Sequence, residues 1–110
     1  MRREGCDENN AQMTDFLCDF CGGTWTEDLP MVEGHKGSLV CGRCLKVAYV
    51  EVLTGKHGVE GAECRLCLEE RKGLLWQSPV DESACVCERC IRQASTALTQ
   101  DETSGWSRPA

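Results

Sequence analysis

Ten cysteines in a chain of 110 residues are the groups most able to do chemistry. Eight of them form four Cys-x-x-Cys pairs: Cys18/Cys21, Cys41/Cys44, Cys64/Cys67 and Cys87/Cys90. Such a pair is either a redox dithiol or half of a metal site. Adding 46 to positions 18, 21, 41 and 44 lands on 64, 67, 87 and 90, so the frame is an internal duplication. In each copy 19 residues separate the two pairs. A frame of two such pairs with about 15–20 residues between them is a zinc signature. Four thiolates complete a tetrahedron with no open position, which suits a structural site rather than a catalytic one. Two Zn²⁺ are therefore expected. Dithiol switches and Fe²⁺ sites of rubredoxin type are the alternatives, and the clustered spacing of ferredoxins is absent.

Other positions agree under the same gapless shift. "VCGRCLK" meets "VCERCIR", pairing Val40 with Val86, Arg43 with Arg89, Leu45 with Ile91 and Lys46 with Arg92. Leu29 meets Leu75, and Ala48 meets Ala94. The elements that must position the cysteines follow from local patterns. "CDFCGG" reads as a tight knuckle, its glycines permitting positive φ. "LPMVE" and "SLVC" read as strands joined by the turn "GHKG". Cys41 and Cys44 then open a helix whose apolar face is Leu45, Ala48, Val52 and Leu53, with Gly55 as its stop. The second half repeats the plan. "CRLC" is its knuckle, "GLLWQS" a strand, and Ile91, Ala94 and Leu98 its helix stripe. The first-turn amides of each helix would face the thiolates, and Arg43 and Arg89 would offset their charge.

The expected fold class is thus a small, metal-stabilised α+β chain of two tandem treble-clef-like zinc modules, open to packing as a pseudo-two-fold pair. The expected division is a flexible tail over 1–14, module one over 15–56 and a Gly- and charge-rich linker over 57–63. Module two spans 64–100 and a second tail 101–110. Units of about 40 residues rarely hold a sufficient core without metal, disulfides or association.

Net charge is -6, and eight thiolates on two Zn²⁺ would add about four negative charges. That is not the footprint of a general nucleic-acid binder. "MRREGCDENNAQ" lacks the apolar core of a signal peptide, and "LKVAYVEVL" is too short and too charged to span a bilayer. The expected location is the cytoplasm, where structural disulfides are disfavoured.

At the residues "CDFCGG…LVCGRCLKVAYVEV" the chain resembles the C4 zinc-binding domain at the N-terminus of ClpX, the unfoldase subunit of a bacterial protease. The likeness covers 18–54 well and 64–99 more loosely. It implies that Cys18, Cys21, Cys41 and Cys44 hold one zinc and that Cys64, Cys67, Cys87 and Cys90 hold the other. It also implies dimerisation through apolar surface and docking of substrates or adaptor proteins. Here the module occurs twice, and the chain contains no G-x-x-x-x-G-K-[ST] phosphate loop; "TGKHG" lacks its first Gly and its Ser/Thr. Unfoldase activity is therefore not carried over. Two linked copies should pair within one chain, because the linker raises their effective concentration, with a homodimer as the alternative.

The remaining residues read more plainly. Cys85 matches Leu39 and reads as a small buried residue, with ligand exchange or redox sensing as the sharper option. Cys6 reads as a free thiol in the tail. His35 and His57 read as solvated turn residues. Trp76 reads as core or an inter-module contact, with a partner groove as the alternative, while Trp106, in a polar tail with no core to join, reads as a short linear contact or as nothing. The functional expectation is a non-enzymatic, adaptor-like module for a protein partner or substrate segment. A nucleic-acid-associated zinc ribbon and a redox-regulated zinc switch are its rivals.

Overall fold

The computed structural model describes residues 1–5, 9, 10 and 12–109; Cys6 lies outside them. Strands β1 (Met31–Glu33) and β2 (Leu39–Cys41) form a two-stranded antiparallel sheet. Helix α1 (Gly42–Ala48) follows β2 directly and widens into π-type turns over Tyr49–Thr54. Strands β3 (Val59–Glu63), β4 (Glu70–Gln77) and β5 (Cys85–Cys87) form a three-stranded antiparallel sheet, and α2 (Glu88–Gln100) closes the second half. The described residues make a small α+β protein with two antiparallel sheets and two α-helices.

Both helices turn the expected stripe inward. Leu45, Ala48 and Val52 are buried from the first half, and Ile91, Ala94 and Leu98 from the second. These side chains join one continuous cluster with Phe20, Leu39, Val40, Leu75, Trp76 and Val86. Neither half alone could enclose such a cluster, because each has only one helix and a short sheet to cover it.

The gapless correspondence fails in the strand that follows each knuckle. Met31 pairs with Cys41, but Leu75 pairs with Cys87. Leu75 is thus the counterpart of Met31, an offset of 44 (75 − 31), and not of Leu29. The slack returns in the hairpin loop, residues 34–38 in one half and 78–84 in the other. A two-residue shift keeps every side chain on its original face, so both cores remain filled.

Residues 57–63, expected as a linker, contain β3. Val59 pairs with Leu75, Glu60 with Leu74, Ala62 with Arg71 and Glu63 with Glu70, with a register shift between Glu60 and Ala62. Gly61, at φ +68°, sits at that irregularity. Strict alternation would send Val59 and Ala62 to opposite faces; the bulge lets both pack on the core. Gly58 lies tight against this sheet, where an added Cβ would stand 2.4 Å from the Leu75 carbonyl oxygen. Gly58→Ala should therefore push β3 off β4. The expected loss is about 1–3 kcal/mol, read from urea unfolding of the metal-loaded chain.

The ends expected as frayed tails make defined contacts. The Met1 ammonium donates to Asp19 Oδ1 at 2.7 Å and to the Gly37 carbonyl at 3.0 Å. Arg2 bridges to Phe16 and lies over its ring. Trp106 packs against the core and donates from Nε1 to the Gly42 carbonyl at 2.9 Å.

The two halves touch reciprocally through their knuckles. The Leu66 carbonyl accepts the His35 N–H at 2.8 Å, and the Phe20 carbonyl accepts the Ser78 hydroxyl. Ser78 is the counterpart of Gly34 under the strand offset, and at Gly34 an added Cβ would stand 2.7 Å from the Leu66 carbonyl oxygen. Phe20 and Trp76 meet with ring centroids 5.7 Å apart. Asp19 pairs with Arg65 at 3.4 Å, and these are equivalent positions (65 − 19 = 46). Helix α1 also packs on α2.

Candidate metal centres

Each knuckle is a tight turn that aims two sulfurs the same way. In the first, Cys18 N–H donates to the Gly23 carbonyl and Gly22 N–H to the Cys18 carbonyl, both at 2.9 Å. In the second, Cys64 N–H donates to Glu69 and Leu68 N–H to Cys64, at 2.9 and 2.8 Å. The turn needs positive φ at its fifth residue, +75° at Gly22 and +62° at Leu68. Leucine accepts that conformation at a cost of roughly 1–2 kcal/mol, so the second knuckle carries strain that the first avoids.

The second pair of sulfurs comes from the junction of strand and helix. Cys41 ends β2 and N-caps α1, its Sγ accepting the Cys44 N–H at 3.5 Å. Cys87 ends β5 and N-caps α2, its Sγ accepting the Cys90 N–H at 3.5 Å. Further amides converge on the knuckle sulfurs. Cys41 N–H reaches Cys18 Sγ at 3.4 Å, and Cys87 N–H reaches Cys64 Sγ at 3.3 Å. In the first site Phe20 and Gly23 donate as well, to Cys18 and Cys21 at 3.4 and 3.3 Å.

All eight expected cysteines come together in two groups of four. Within each group the sulfurs lie within 4.8 Å of one another. Measured contacts are 3.9 Å for Cys18–Cys44, 3.7 Å for Cys21–Cys41 and 4.0 Å for Cys67–Cys87. A tetrahedral ion with metal–sulfur bonds of about 2.3 Å requires edges of about 3.8 Å. The donor sets therefore fit one tetrahedral metal ion each, and none of these cysteines is in a disulfide. Cys21 and Cys67 are half-buried and the other six are buried.

The protonation pattern points the same way. Hydrogen bonds from Cys18 and then Cys44 hold Cys41 down at about 3, and those from Cys64 and then Cys90 hold Cys87 at about 3. The same contacts, with burial, push Cys44 and Cys90 strongly up. Four sulfurs this close cannot all ionise by mutual support alone; a divalent cation at the centre removes that conflict.

The charge-offsetting arginines are not an equivalent pair. Arg43 is held more firmly protonated by the Cys41 and Cys21 sulfurs. In the second site Arg71, from β4, reaches Cys67 Sγ at 3.5 Å and Glu69 at 3.0 Å. Arg89 makes no hydrogen bond or ion pair among the described residues. Its expected role passes to Arg71, four residues after Cys67, which no cysteine spacing could reveal. Cys85 lies outside both groups. It is buried in the place of Leu39, and burial raises its thiol pKa. His35 and His57 are exposed and outside both groups.

No family model, curated protein or solved structure matches this chain. Among the described residues no helix is long and apolar enough to cross a membrane.

Proposed function

We propose that this chain is a non-enzymatic, adaptor-like protein-interaction module built on two structural four-cysteine zinc sites. Its halves are treble-clef-like modules similar to the zinc-binding domain of ClpX, paired about a pseudo-two-fold axis within one chain. The observation that carries this reading is the pair of closed four-sulfur groups. Each takes its ligands from a knuckle and a helix start, with no fifth donor among the described residues and no evident open position. A closed site supplies fold stability, so chemistry at the metal is not what the arrangement favours. The salt bridge between equivalent Asp19 and Arg65 supports the paired arrangement, since equivalent positions meet where a two-fold axis passes.

The interaction role rests on what the paired halves leave uncovered. Val47, Val50 and Val80 are 46%, 45% and 73% exposed. Val47 and Val80 line a cavity with Phe20, Trp76 and Pro79. An acidic chain with an apolar face suits a peptide better than a polyanion. Native mass spectrometry should find one chain carrying two zinc ions; two chains with four ions would move the pairing between molecules. A peptide-display selection against the loaded protein tests the interaction role. Binders lost on Val47→Glu or Val80→Glu would support it. Oligonucleotide binding that weakens steeply with salt, with no peptide binding, would replace it by the zinc-ribbon reading.

A further inference from the structure

The segment after α2 runs back to the first half and is held at each step. Ser104 Oγ donates to the Leu98 carbonyl at 2.7 Å, and Trp106 N–H donates to Ser104 Oγ at 3.1 Å. Arg108 donates to Thr96 Oγ1 at 2.9 Å. The indole of Trp106 lies against Gly42 and forms one wall of a notch whose other walls include Leu29, Pro30 and Lys46. Its Nε1–H donates to the Gly42 carbonyl, and the Lys46 ammonium lies 5.9 Å from the ring centroid, within cation–π range.

Duplication supplies an internal control. The counterparts of Gly42 and Lys46 are Glu88 and Arg92 (each 46 further on), and these form an ion pair at 2.8 Å across the surface of α2. In the first half the carboxylate is replaced by glycine, and the cation is left to face an aromatic ring. An added Cβ at Gly42 would stand 2.9 Å from Trp106 Cδ1. Glycine is a poor residue within a helix, and what it offers here is room for an indole.

We propose that residues 101–109 form a clasp: Trp106 is an intrachain ligand of an aromatic-recognition notch on α1. By seating Trp106 on Gly42 and Lys46 the clasp holds closed the first turn of α1, which begins at the N-cap Cys41 and contains Cys44. The notch recognises an indole through one carbonyl acceptor, one cation and two apolar walls. The tether keeps it filled, because a short linker presents its own ligand at about millimolar effective concentration. This goes beyond the adaptor reading and does not depend on the identity of any partner.

Hydrogen exchange on the 110-residue, metal-loaded chain tests it. Trp106→Ala should raise exchange over residues 42–45 by about tenfold, with residues 88–91 of α2 unchanged. Gly42→Ala should do the same by expelling the indole, although alanine by itself favours helix. A synthetic peptide of residues 101–110, added at millimolar concentration to the Trp106→Ala chain, should restore protection. The same peptide with alanine for tryptophan should not. Unchanged exchange in both variants, an equal rise in both helices, or no rescue by the peptide would overturn the clasp. Metal content, followed in parallel, separates failure of the clasp from failure of the zinc sites.

Discussion

Adding a strong chelator to the native chain is expected to abolish its near-ultraviolet circular dichroism and leave the chain largely unfolded. Each structural zinc contributes on the order of 10–16 kcal/mol of apparent folding free energy. A domain of this size has a net stability of about 5–15 kcal/mol. Losing either ion therefore removes as much as the whole margin. The signal is well placed to report it, because Trp76 and Phe20 meet in the core between the knuckles. Acid should act in the same direction. Cys41 and Cys87 are lowered from 9.0 to about 3 in the folded chain. A group lowered by folding stabilises the fold fully above its unfolded value, and loses that contribution as pH falls through its folded value. Protons also compete with metal for the other sulfurs. Stability should thus decline from the ordinary thiol range downward and be gone near pH 3, with zinc appearing on an indicator dye as it is lost. A near-ultraviolet spectrum unchanged after complete metal removal would reject this account.

How much of this was legible beforehand differs by kind of residue. Metal ligands carry their own spacing, so the eight cysteines and their division into two frames could be read without any fold. Helix starts were legible for the same reason, since Cys41 and Cys87 are at once members of the four-sulfur groups and N-caps. The apolar stripe of α2 follows a period of 3.6 and points inward as expected, while that of α1 crosses into π-type turns, where Val52 is buried and Leu53 half-buried. What escaped depends on backbone freedom or distance. Gly61 hides a strand behind a linker-like composition, because one bulge rescues an alternation that the letters break. The two-residue slip between Met31 and Leu75 preserves sidedness, and hydrophobic pattern alone cannot detect it. Arg71 follows Cys67 by only four residues, yet cysteine spacing does not say which nearby cation turns toward a sulfur. Trp106 sits 64 residues from the carbonyl it binds, in a segment too polar to announce a docking role.

Removing one site should weaken the other. In a chain carrying both Cys41→Ser and Cys44→Ser the four ligands of the second site are untouched, yet its zinc affinity is expected to fall by tenfold or more. The reason is where the halves touch. Arg65 and Leu66 lie between the ligands Cys64 and Cys67, and both lean on the first half, through Asp19 and through the His35 amide. Trp76 near the end of β4 and Ser78 just after it lean on Phe20, which lies between Cys18 and Cys21. Each hydrogen bond contributes about 0.5–1.5 kcal/mol and the ring contact a similar amount. Together they exceed the ~1.4 kcal/mol that corresponds to a tenfold change in affinity. The mirror pair, Cys87→Ser with Cys90→Ser, should weaken the first site by a comparable factor, because coupling between two binding sites is reciprocal. Competitive titration against a zinc chelator of known strength measures both. Unchanged affinity at the surviving site in either chain would mean two independent beads on a string. The shared cluster of Phe20, Leu45, Trp76 and Ile91 would then contribute nothing to metal retention. A fall in both chains would make the paired halves one cooperative unit, in which each ion holds the scaffold that holds the other.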